Sequence, residues 1–206
     1  MSKLENIFDD IKMYLPKYLS EDDTKRLLSE LQNFPTNLDK RFYSSFLENE
    51  DIIFQGDGLT DFIVVNLPNE VFFKTPIIVF SNTCDIDNAN KRLFSSNICY
   101  APIFSLESYK QELLEEKIKN EQSINNHIED IKKQKITQIL YLPKGYKLPE
   151  DCIVFLDRLN HCDNNSIPRD SISQRKIFML SNYGFYLFLV KISIHFTRIQ
   201  ENVNRN

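Results

Sequence analysis

The 206-residue sequence contains no tryptophan, only four glycines and no excess of positive charge. So few glycines argue against a loop-rich or propeller-like architecture, because such folds place glycine at many tight turns. The formal net charge is −4 and the pI is about 5.5. The sequence therefore lacks the general basic character of nucleic-acid-binding domains, which leaves only a local basic patch for such a role.

Cysteine is also scarce, and its spacing is uninformative for metal binding. The four cysteines stand at positions 84, 99, 152 and 162, with no CxxC pair. Nothing in residues 1–14 resembles a signal peptide, so we expect reduced thiols in a cytoplasmic protein. A zinc site would need the four residues Cys84, Cys99, His161 and Cys162, whose adjacent His-Cys pair and long gaps fit usual zinc ligand spacing poorly. We expect neither a metal nor a cofactor.

The sequence lacks a long apolar run that could span a membrane. Residues 177–194 are mostly apolar, but Ser181, Asn182, Gly184 and Lys191 interrupt them. A transmembrane helix needs about 20 consecutive, predominantly apolar residues. We therefore predict a strand over residues 176–180 and a buried helix that Ser181 caps and that ends near Thr197.

What the sequence does have is an aromatic, globular composition. Hydrophobic residues make up 42% of the chain and aromatic residues 12%, including 16 Phe and nine Tyr. This composition is typical of a folded protein whose core contains β-structure. At this length we expect one domain with elaborations and a substantial core.

A short apolar run near the middle of the chain predicts the central strand. Residues 77–80 are Ile-Ile-Val-Phe, which is typical of a strand buried on both faces. Pro76 is expected to mark the entry into this strand, because proline cannot donate to a central ladder. Residues 81–85 (Ser-Asn-Thr-Cys-Asp) then place five polar side chains where the strand leaves the core.

Residues 1–50 are predicted to be helical. Apolar residues follow helical spacing before Pro16, and a second amphipathic segment ends at residues 34–35. A third short helix is predicted over residues 38–47, with Phe42, Phe46 and Leu47 turned inward. These helices are expected to pack against the outside of the β-structure.

The β-region is predicted to begin near residue 51. Residues 55–58 (Gln-Gly-Asp-Gly) predict a tight turn, since two glycines permit unusual backbone angles. The polar residues 160–174 predict a loop. Further strands are predicted over residues 62–67, 71–73, 77–80, 98–104, 136–142, 152–156 and 176–180.

Residues 105–135 interrupt the β-pattern with helical spacing. Their apolar positions form a narrow stripe amid Glu, Lys, Asn and Gln. Two interpretations remain open for this helical arm. It is either an insertion that packs lightly on the β-domain or a helix that binds a partner or dimerises.

The order of these motifs resembles the MazF/PemK toxin family. The similarity rests on a Gly-Asp turn, the segment IIVFSNTCDI after a proline, the helical excursion, VFLDRLNHC, KIFMLS and a final helix. It covers roughly residues 51–198 and looks most like larger bacterial relatives of the compact toxins. The resemblance implies an α+β fold that is mainly β: an SH3-like (PemK-like) barrel with N-terminal helices, an inserted helical arm and a buried C-terminal helix.

The resemblance also implies a division of the chain. Residues 1–50 would form a helical elaboration, residues 51–198 the barrel with its insertion at 105–135, and residues 199–206 a polar tail.

The resemblance suggests where an RNA-cleaving site would lie. Compact toxins carry an arginine before the proline that opens the second core strand, where this sequence has Thr75 preceded by Lys74. The family's strand that ends in an acid and a base corresponds here to Asp157 and Arg158, so Arg158 is the best candidate for a phosphate contact. The candidate catalytic residues are Lys74, Thr83, Asp85, Arg158 and His195.

Such a site requires residues 81–85 and 157–158 to lie near one another. A different chemistry would use Cys84 as a nucleophile and His195 as its base. The adjacent Asp85 argues against it, because a neighbouring carboxylate raises a thiol pKa.

Two functions from different classes follow. In the first, the barrel is a non-catalytic protein-interaction module of a toxin–antitoxin or defence-type system, which binds a protein partner or a second copy through its helical additions. In the second, it is a metal-independent endoribonuclease that cleaves or binds RNA. The acidic pI, the missing arginine and the helical additions favour the first, and the resemblance favours the second.

Overall fold

The fold is built on one antiparallel sheet of seven strands. In this computed structural model the residues described are 41–69, 71–117 and 119–197, together with Ser20, Asp22, Lys25 and Ser29. The strand order is β4-β5-β3-β2-β1-β7, and β6 pairs with β3 beside this path. The strands are β1 (Gly58–Asn66), β2 (Val71–Val79), β3 (Asn97–Ser105), β4 (Ile139–Leu142), β5 (Cys152–Phe155), β6 (Asn160–Asp163) and β7 (Lys176–Phe178).

Five α-helices are described, and two of them form the helical arm between β3 and β4. They are α1 (Thr83–Ile86), α2 (Leu106–Glu115), α3 (Glu121–Lys132), α4 (Ile172–Arg175) and α5 (Asn182–Thr197). The mixed α and β composition and the inserted helices are as predicted. The sheet is open, however, because β4 and β7 form its two edges and do not pair with each other. The backbone pairing of the described strands therefore does not close a barrel.

The central strand is buried on both faces, as predicted. Ile77, Ile78 and Val79 are each fully inaccessible to solvent. Ile77 and Val79 belong to one apolar cluster, whereas Ile78 and Phe80 belong to the other. Because successive side chains of a strand point to opposite faces, β2 separates two cores.

The strand is longer than predicted. Residues 71–73 and 77–80 were expected to form two separate segments, but β2 runs without interruption from Val71 to Val79 and contains Pro76. The prediction of a break at Pro76 is wrong because this proline lies just beyond the part of β2 that pairs with β3, which begins at Ile77. At that position no ladder hydrogen bond is lost.

β6 is a strand where the sequence predicted a loop. Asn160–Asp163 pairs with β3 on the edge opposite β2, since Tyr100 pairs with both Val79 and Asn160. Its polar sequence Asn-His-Cys-Asp carries no hydrophobic pattern, so only the long-range pairing makes it a strand. The rest of the predicted loop contains a short 3₁₀ turn and α4.

The helical arm belongs to the larger core. Ile124, Ile128 and Ile131 of α3 are buried in the same cluster as β4, β5 and the start of α5. Leu106, the first residue of α2, is buried there too. The arm therefore packs as a full layer on the sheet rather than lightly.

The C-terminal helix begins as predicted. The Ser181 hydroxyl accepts a hydrogen bond from the Gly184 amide (3.1 Å), which is an N-cap. Tyr183 and Phe188 are buried, whereas Phe196 in the last turn is exposed. The helix thus leaves the core before it ends. In the described part of the chain, no helix has the length and apolar character needed to span a bilayer.

The predicted N-terminal helices lie almost entirely outside the described residues. Of the third, residues 42–47 are not helical. Phe42 is buried as predicted, but Phe46 is 89% exposed, so its predicted inward orientation is wrong. A helical register would have turned both rings the same way, whereas this extended segment bridges to Leu180 at Tyr43 and then turns away.

A buried ion pair fixes the Gly-Asp-Gly turn to β7. Lys176 Nζ lies 3.6 Å from Asp57 Oδ2, and both side chains are almost fully buried. The same ammonium donates to the Leu47 carbonyl (3.2 Å), and Asp57 accepts from the Phe54 amide (3.0 Å). Burial raises the pKa of Asp57 to about 7, while the Lys176 charge acts in the opposite direction.

We expect Lys176→Met to lower the free energy of unfolding by about 3–5 kcal/mol, because Asp57 must then either stay buried as an unpaired carboxylate or take up a proton, and both cost stability at pH 8. The double variant Asp57→Asn/Lys176→Met should lose less of the free energy of unfolding, since neither charge remains in the core. Urea unfolding at pH 8 measures both. Equal losses in the single and double variants would show that packing, not charge, is responsible.

A second buried lysine joins α5 to the end of the helical arm. Lys191 Nζ donates to the carbonyls of Gln134 and Ile136, at 2.6 Å each, and burial lowers its pKa to about 8. Between pH 8 and the ordinary lysine pKa, the unfolded chain therefore binds more protons than the folded chain. Stability linked to this group rises with pH across that range.

We expect the free energy of unfolding of the wild type to rise relative to that of Lys191→Met between pH 8 and 10. The reason is that only the wild type must keep an ammonium buried at the lower pH. Denaturant titrations of both proteins at half-unit pH intervals give the difference. A constant difference over this range would contradict the assignment.

Candidate functional site

A groove lies between the outer half of the β1–β2 hairpin and the turn that joins β5 to β6. Its volume is about 570 Å³, and we call it the hairpin groove. One wall comes from β1 and the following turn, and the other from residues 157–161. Its lining residues are Val64, Val65, Asn66, Leu67, Phe73, Pro102, Phe104, Asp157, Arg158, Leu159, Asn160 and His161.

Two side-chain hydrogen bonds hold the hairpin over the sheet. The Val65 amide donates to Asn160 Oδ1 (2.8 Å), and the Tyr100 hydroxyl donates to the Ile63 carbonyl (2.5 Å). The outer edge of β1 thus approaches β6 without a backbone ladder between them. These bonds curl the sheet over the smaller core and define one end of the groove.

Arg158 supplies the groove with a positive charge. Its guanidinium carbon lies 4.0 Å from the centroid of the Phe155 ring and 5.4 Å from that of Phe104. Stacking on aromatic rings orients the flat guanidinium while its N–H groups stay available. Among the ion pairs of the described residues, none involves Arg158 or the adjacent Asp157.

The hairpin beside the groove exposes an unusual amount of apolar surface. Leu67 is 75% exposed and Phe72 is 69% exposed. We call the following set the hairpin patch: Ile63, Leu67, Val71, Phe72 and Phe73. Single exposed apolar residues are common on protein surfaces, but five on one hairpin indicate an interaction surface.

The candidate catalytic residues are distributed over several surfaces. Lys74 lies on the exposed part of β2, opposite Ile63. Thr83, the first residue of α1, accepts a hydrogen bond from the Gln55 amide (3.0 Å). Asp85 forms an ion pair with Arg92.

His195 and Arg158 are equally separate. The His195 ring packs on Phe196 near the end of α5 (4.8 Å between centroids). No described contact joins either residue to the other three candidates. An acid–base pair and a cation must reach one phosphate to cleave RNA, and these five side chains are not brought together in that way.

The two polar corners lie at different ends of β3. Ser81 donates to the Asn97 carbonyl and accepts from the Cys99 amide, whereas Arg158 stacks near Phe104. The five residue steps from Cys99 to Phe104 span about 16 Å of extended strand. Residues 81–85 and 157–158 therefore do not form one site.

The cysteine alternatives find no support in the geometry. Cys84 is exposed and has no described contact with His195. Cys162 pairs with Ile98 and packs in the smaller core, whereas Cys99 packs against the larger core on the opposite face of β3. The described residues contain no group of three or more metal-ligating side chains.

Most groove residues were missed by sequence reasoning. The sequence predicts Phe73 and Phe104 only as strand residues and Asn160 only as part of a loop. Of the groove residues, it singles out Asp157 and Arg158 for a phosphate site and His161 for the zinc alternative. The one available signal was the apolar character of both faces of residues 71–73 next to a polar turn, which is unusual for a strand at the surface.

We expect Asn160→Ala to speed hydrogen exchange at the Val65 amide at least tenfold, because that amide loses its acceptor. Amides of Ile77 to Val79 should exchange as in the wild type, since they lie in the central ladder. Exchange followed by NMR measures both sets. Unchanged protection at Val65 would show that Asn160 does not hold the hairpin.

The sequence matches no protein-family model and no curated protein. The similarity to the MazF/PemK family therefore rests on the motifs quoted above.

Proposed function

We propose that this chain is a non-catalytic protein-interaction module whose hairpin groove and hairpin patch bind a protein partner. The observation that carries the proposal is the exposed apolar surface of the hairpin beside Arg158, which forms no ion pair among the described residues. By its resemblance to the MazF/PemK family, we place it in a bacterial toxin–antitoxin or defence-type system. Four free cysteines suit a reducing cytoplasm.

The composition of the groove supports a protein ligand. Protein interfaces are enriched in aromatic residues and arginine at their centres, and such residues contribute most of the binding energy. Phe73, Phe104 and Arg158 supply this combination, and Asn160 and His161 add polar groups at the rim. The helical arm is a poorer binding surface, because its buried isoleucines already pack on the sheet.

The scattered positions of the candidate catalytic residues support a binding role over a hydrolytic one. Lys74 and Arg158 are the two cations that could contact a phosphate. Thr83 and Asp85, which could take part in proton transfer, belong to the other polar corner. A metal-independent ribonuclease would need one of them beside the cation that contacts the phosphate, whereas Asp85 pairs with Arg92 and not with Lys74 or Arg158.

RNA binding is the second candidate function, and one observation favours it. Arg158 stacked on Phe155, with Phe73 and Phe104 nearby, offers the cation and the aromatic faces on which single-stranded bases stack. Endoribonuclease activity at the hairpin groove would then depend on Arg158.

We also propose that the sheet is an opened relative of the SH3-like barrel. The Val65–Asn160 and Tyr100–Ile63 bonds bring β1 towards β6, where a further backbone pairing would complete a closed wall. The proposal would fit the family resemblance, with α5 as the C-terminal helix.

The test is selection of phage-displayed peptides on the purified full chain. We expect selected peptides to lose at least tenfold in affinity on Phe73→Ser and on Arg158→Ser, because each removes a central contact. Phe94→Ser and Lys91→Ser are matched controls, since both residues are exposed on a different loop. Peptides that bind all four variants equally would place the binding surface elsewhere.

The same preparation tests the RNA alternative. Total RNA should remain intact with excess protein if the module is non-catalytic. Cleavage by the wild type that is lost in Arg158→Ala or Lys74→Ala would instead establish the ribonuclease function. RNA binding without cleavage, lost in Arg158→Ala, would establish the groove as an RNA site.

A further inference from the structure

The ladder between β2 and β3 stops at Pro76. Even-numbered residues direct their backbone groups towards β3: the amide of Phe80, just after β2, donates to the Cys99 carbonyl (2.8 Å), whereas the Val79 amide donates to the Asp57 carbonyl on the other side (2.9 Å). Pro76 belongs to this even-numbered series and has no N–H to donate. Beyond it, β2 continues with β1 as its only described partner strand.

The backbone groups of Phe72 and Lys74 therefore point away from the sheet. The Val65 amide and the Ile63 carbonyl bond to Asn160 and Tyr100, so these two residues of β1 face away from β2. In an antiparallel pair, outward-facing residues stand opposite each other. Phe72 stands opposite Val65, and Lys74 opposite Ile63.

These outward N–H and C=O groups have no hydrogen-bond partner among the described residues. We call residues 71–75 the open edge. Natural proteins usually protect such an edge with charges, prolines or a covering element. Here the only charged residue is Lys74, while Val71, Phe72 and Phe73 are all exposed. An edge this apolar is suited to pairing with another strand.

We propose that the open edge pairs with the open edge of a second copy of this chain, antiparallel and about a two-fold axis at Phe73. The proposal rests on the proposed function, because both take the hairpin as the binding surface. It adds that a second copy of the chain is a partner. Phe72 and Lys74 then exchange backbone hydrogen bonds with Lys74 and Phe72 of the partner subunit. The two sheets become continuous.

The edge is self-complementary in this register. Each Lys74 lies opposite Phe72 of the partner subunit on the same face, so the ammonium meets an aromatic ring rather than a like charge. Moving the axis by one residue to Lys74 would place the two ammonium groups opposite each other, which is unfavourable. The Phe73 side chains meet at the axis beside the two hairpin grooves.

The register makes a geometric prediction for cross-linking. Because the backbone groups of Phe73 face β1, the two copies of residue 73 form a non-hydrogen-bonded pair with Cα atoms about 4.5 Å apart. This distance lies within the range that a disulfide spans. Residues 72 and 74 should instead lie opposite each other.

The test uses the full chain with Cys84→Ser, which removes the exposed native thiol. Under mild oxidation, Phe73→Cys should form an intermolecular disulfide at least tenfold faster than Phe72→Cys or Lys74→Cys alone. When Phe72→Cys and Lys74→Cys are mixed, the two variants should cross-link to each other. Faster self-cross-linking of Phe72→Cys than of Phe73→Cys would overturn this register.

Light scattering on the reduced protein gives the second readout. The wild type should have a dimer mass at high concentration, and Lys74→Pro should be monomeric because it removes an outward N–H that β1 does not use. Circular dichroism must show a folded variant, with Phe94→Ser as the dimeric control. A monomeric wild type, or a dimer that survives Lys74→Pro, contradicts the proposal.

Peptide selection on the monomeric Lys74→Pro variant separates the two proposals. If peptide binding to this variant still depends on Phe73 and Arg158, the groove function stands whether the wild type is a monomer or a dimer. If no selected peptide depends on these residues but Phe73→Cys still cross-links between subunits, the groove function is rejected and the second copy remains as the partner.

Discussion

The whole fold depends on the burial of one strand on both faces. Ile77, Ile78 and Val79 are sealed from solvent, and their side chains alternate between two apolar clusters. A strand in this position cannot shift its register by one residue without exchanging the contents of both cores. It therefore fixes the sheet on which the helical arm, α5 and the β1–β2 hairpin are placed. The polar corner at residues 81–85 serves mainly to end this strand, with Asn82 capping α1.

Pro76 converts this buried strand into an exposed one. On its C-terminal side β2 lies between β1 and β3, and on its N-terminal side β1 is its only partner among the described strands. The hairpin is consequently free to lean over the smaller core, where the Asn160 and Tyr100 side chains hold it. The groove is the space left between the leaning hairpin and the β5–β6 turn. Pro76, which the sequence predicts as a strand boundary, thus separates the hairpin from β3 and leaves the surface to which the functions are proposed.

The sequence was informative where local pattern and tertiary environment agree. The apolar run of residues 77–80 predicted a doubly buried strand, and Ser181 predicted a helix start, because burial and capping leave local signals. β6 was missed since its four residues gain strand structure only from pairing with β3. The groove was equally invisible, because its walls come from distant segments such as Val65 and Asn160, which are 95 residues apart in the sequence. Which side chains from separate segments come together at the groove could not be predicted from the sequence.

The helical arm has a role at the groove although it does not line it. Tyr109 of α2 packs edge-on against Phe155 (5.6 Å between centroids), and the Phe155 ring carries Arg158. The Tyr109 hydroxyl is hydrogen-bonded to His127 Nε2 of α3 (3.1 Å), which ties both helices to the same ring. Burial raises the pKa of Tyr109 and lowers that of His127, so both are neutral near pH 7 and this contact adds no charge to compete with Arg158. Because a guanidinium is oriented by the ring beneath it, the arm positions the cation of the groove. The insertion thereby supports the proposed binding surface, and its buried isoleucines fix it on the sheet as part of the core.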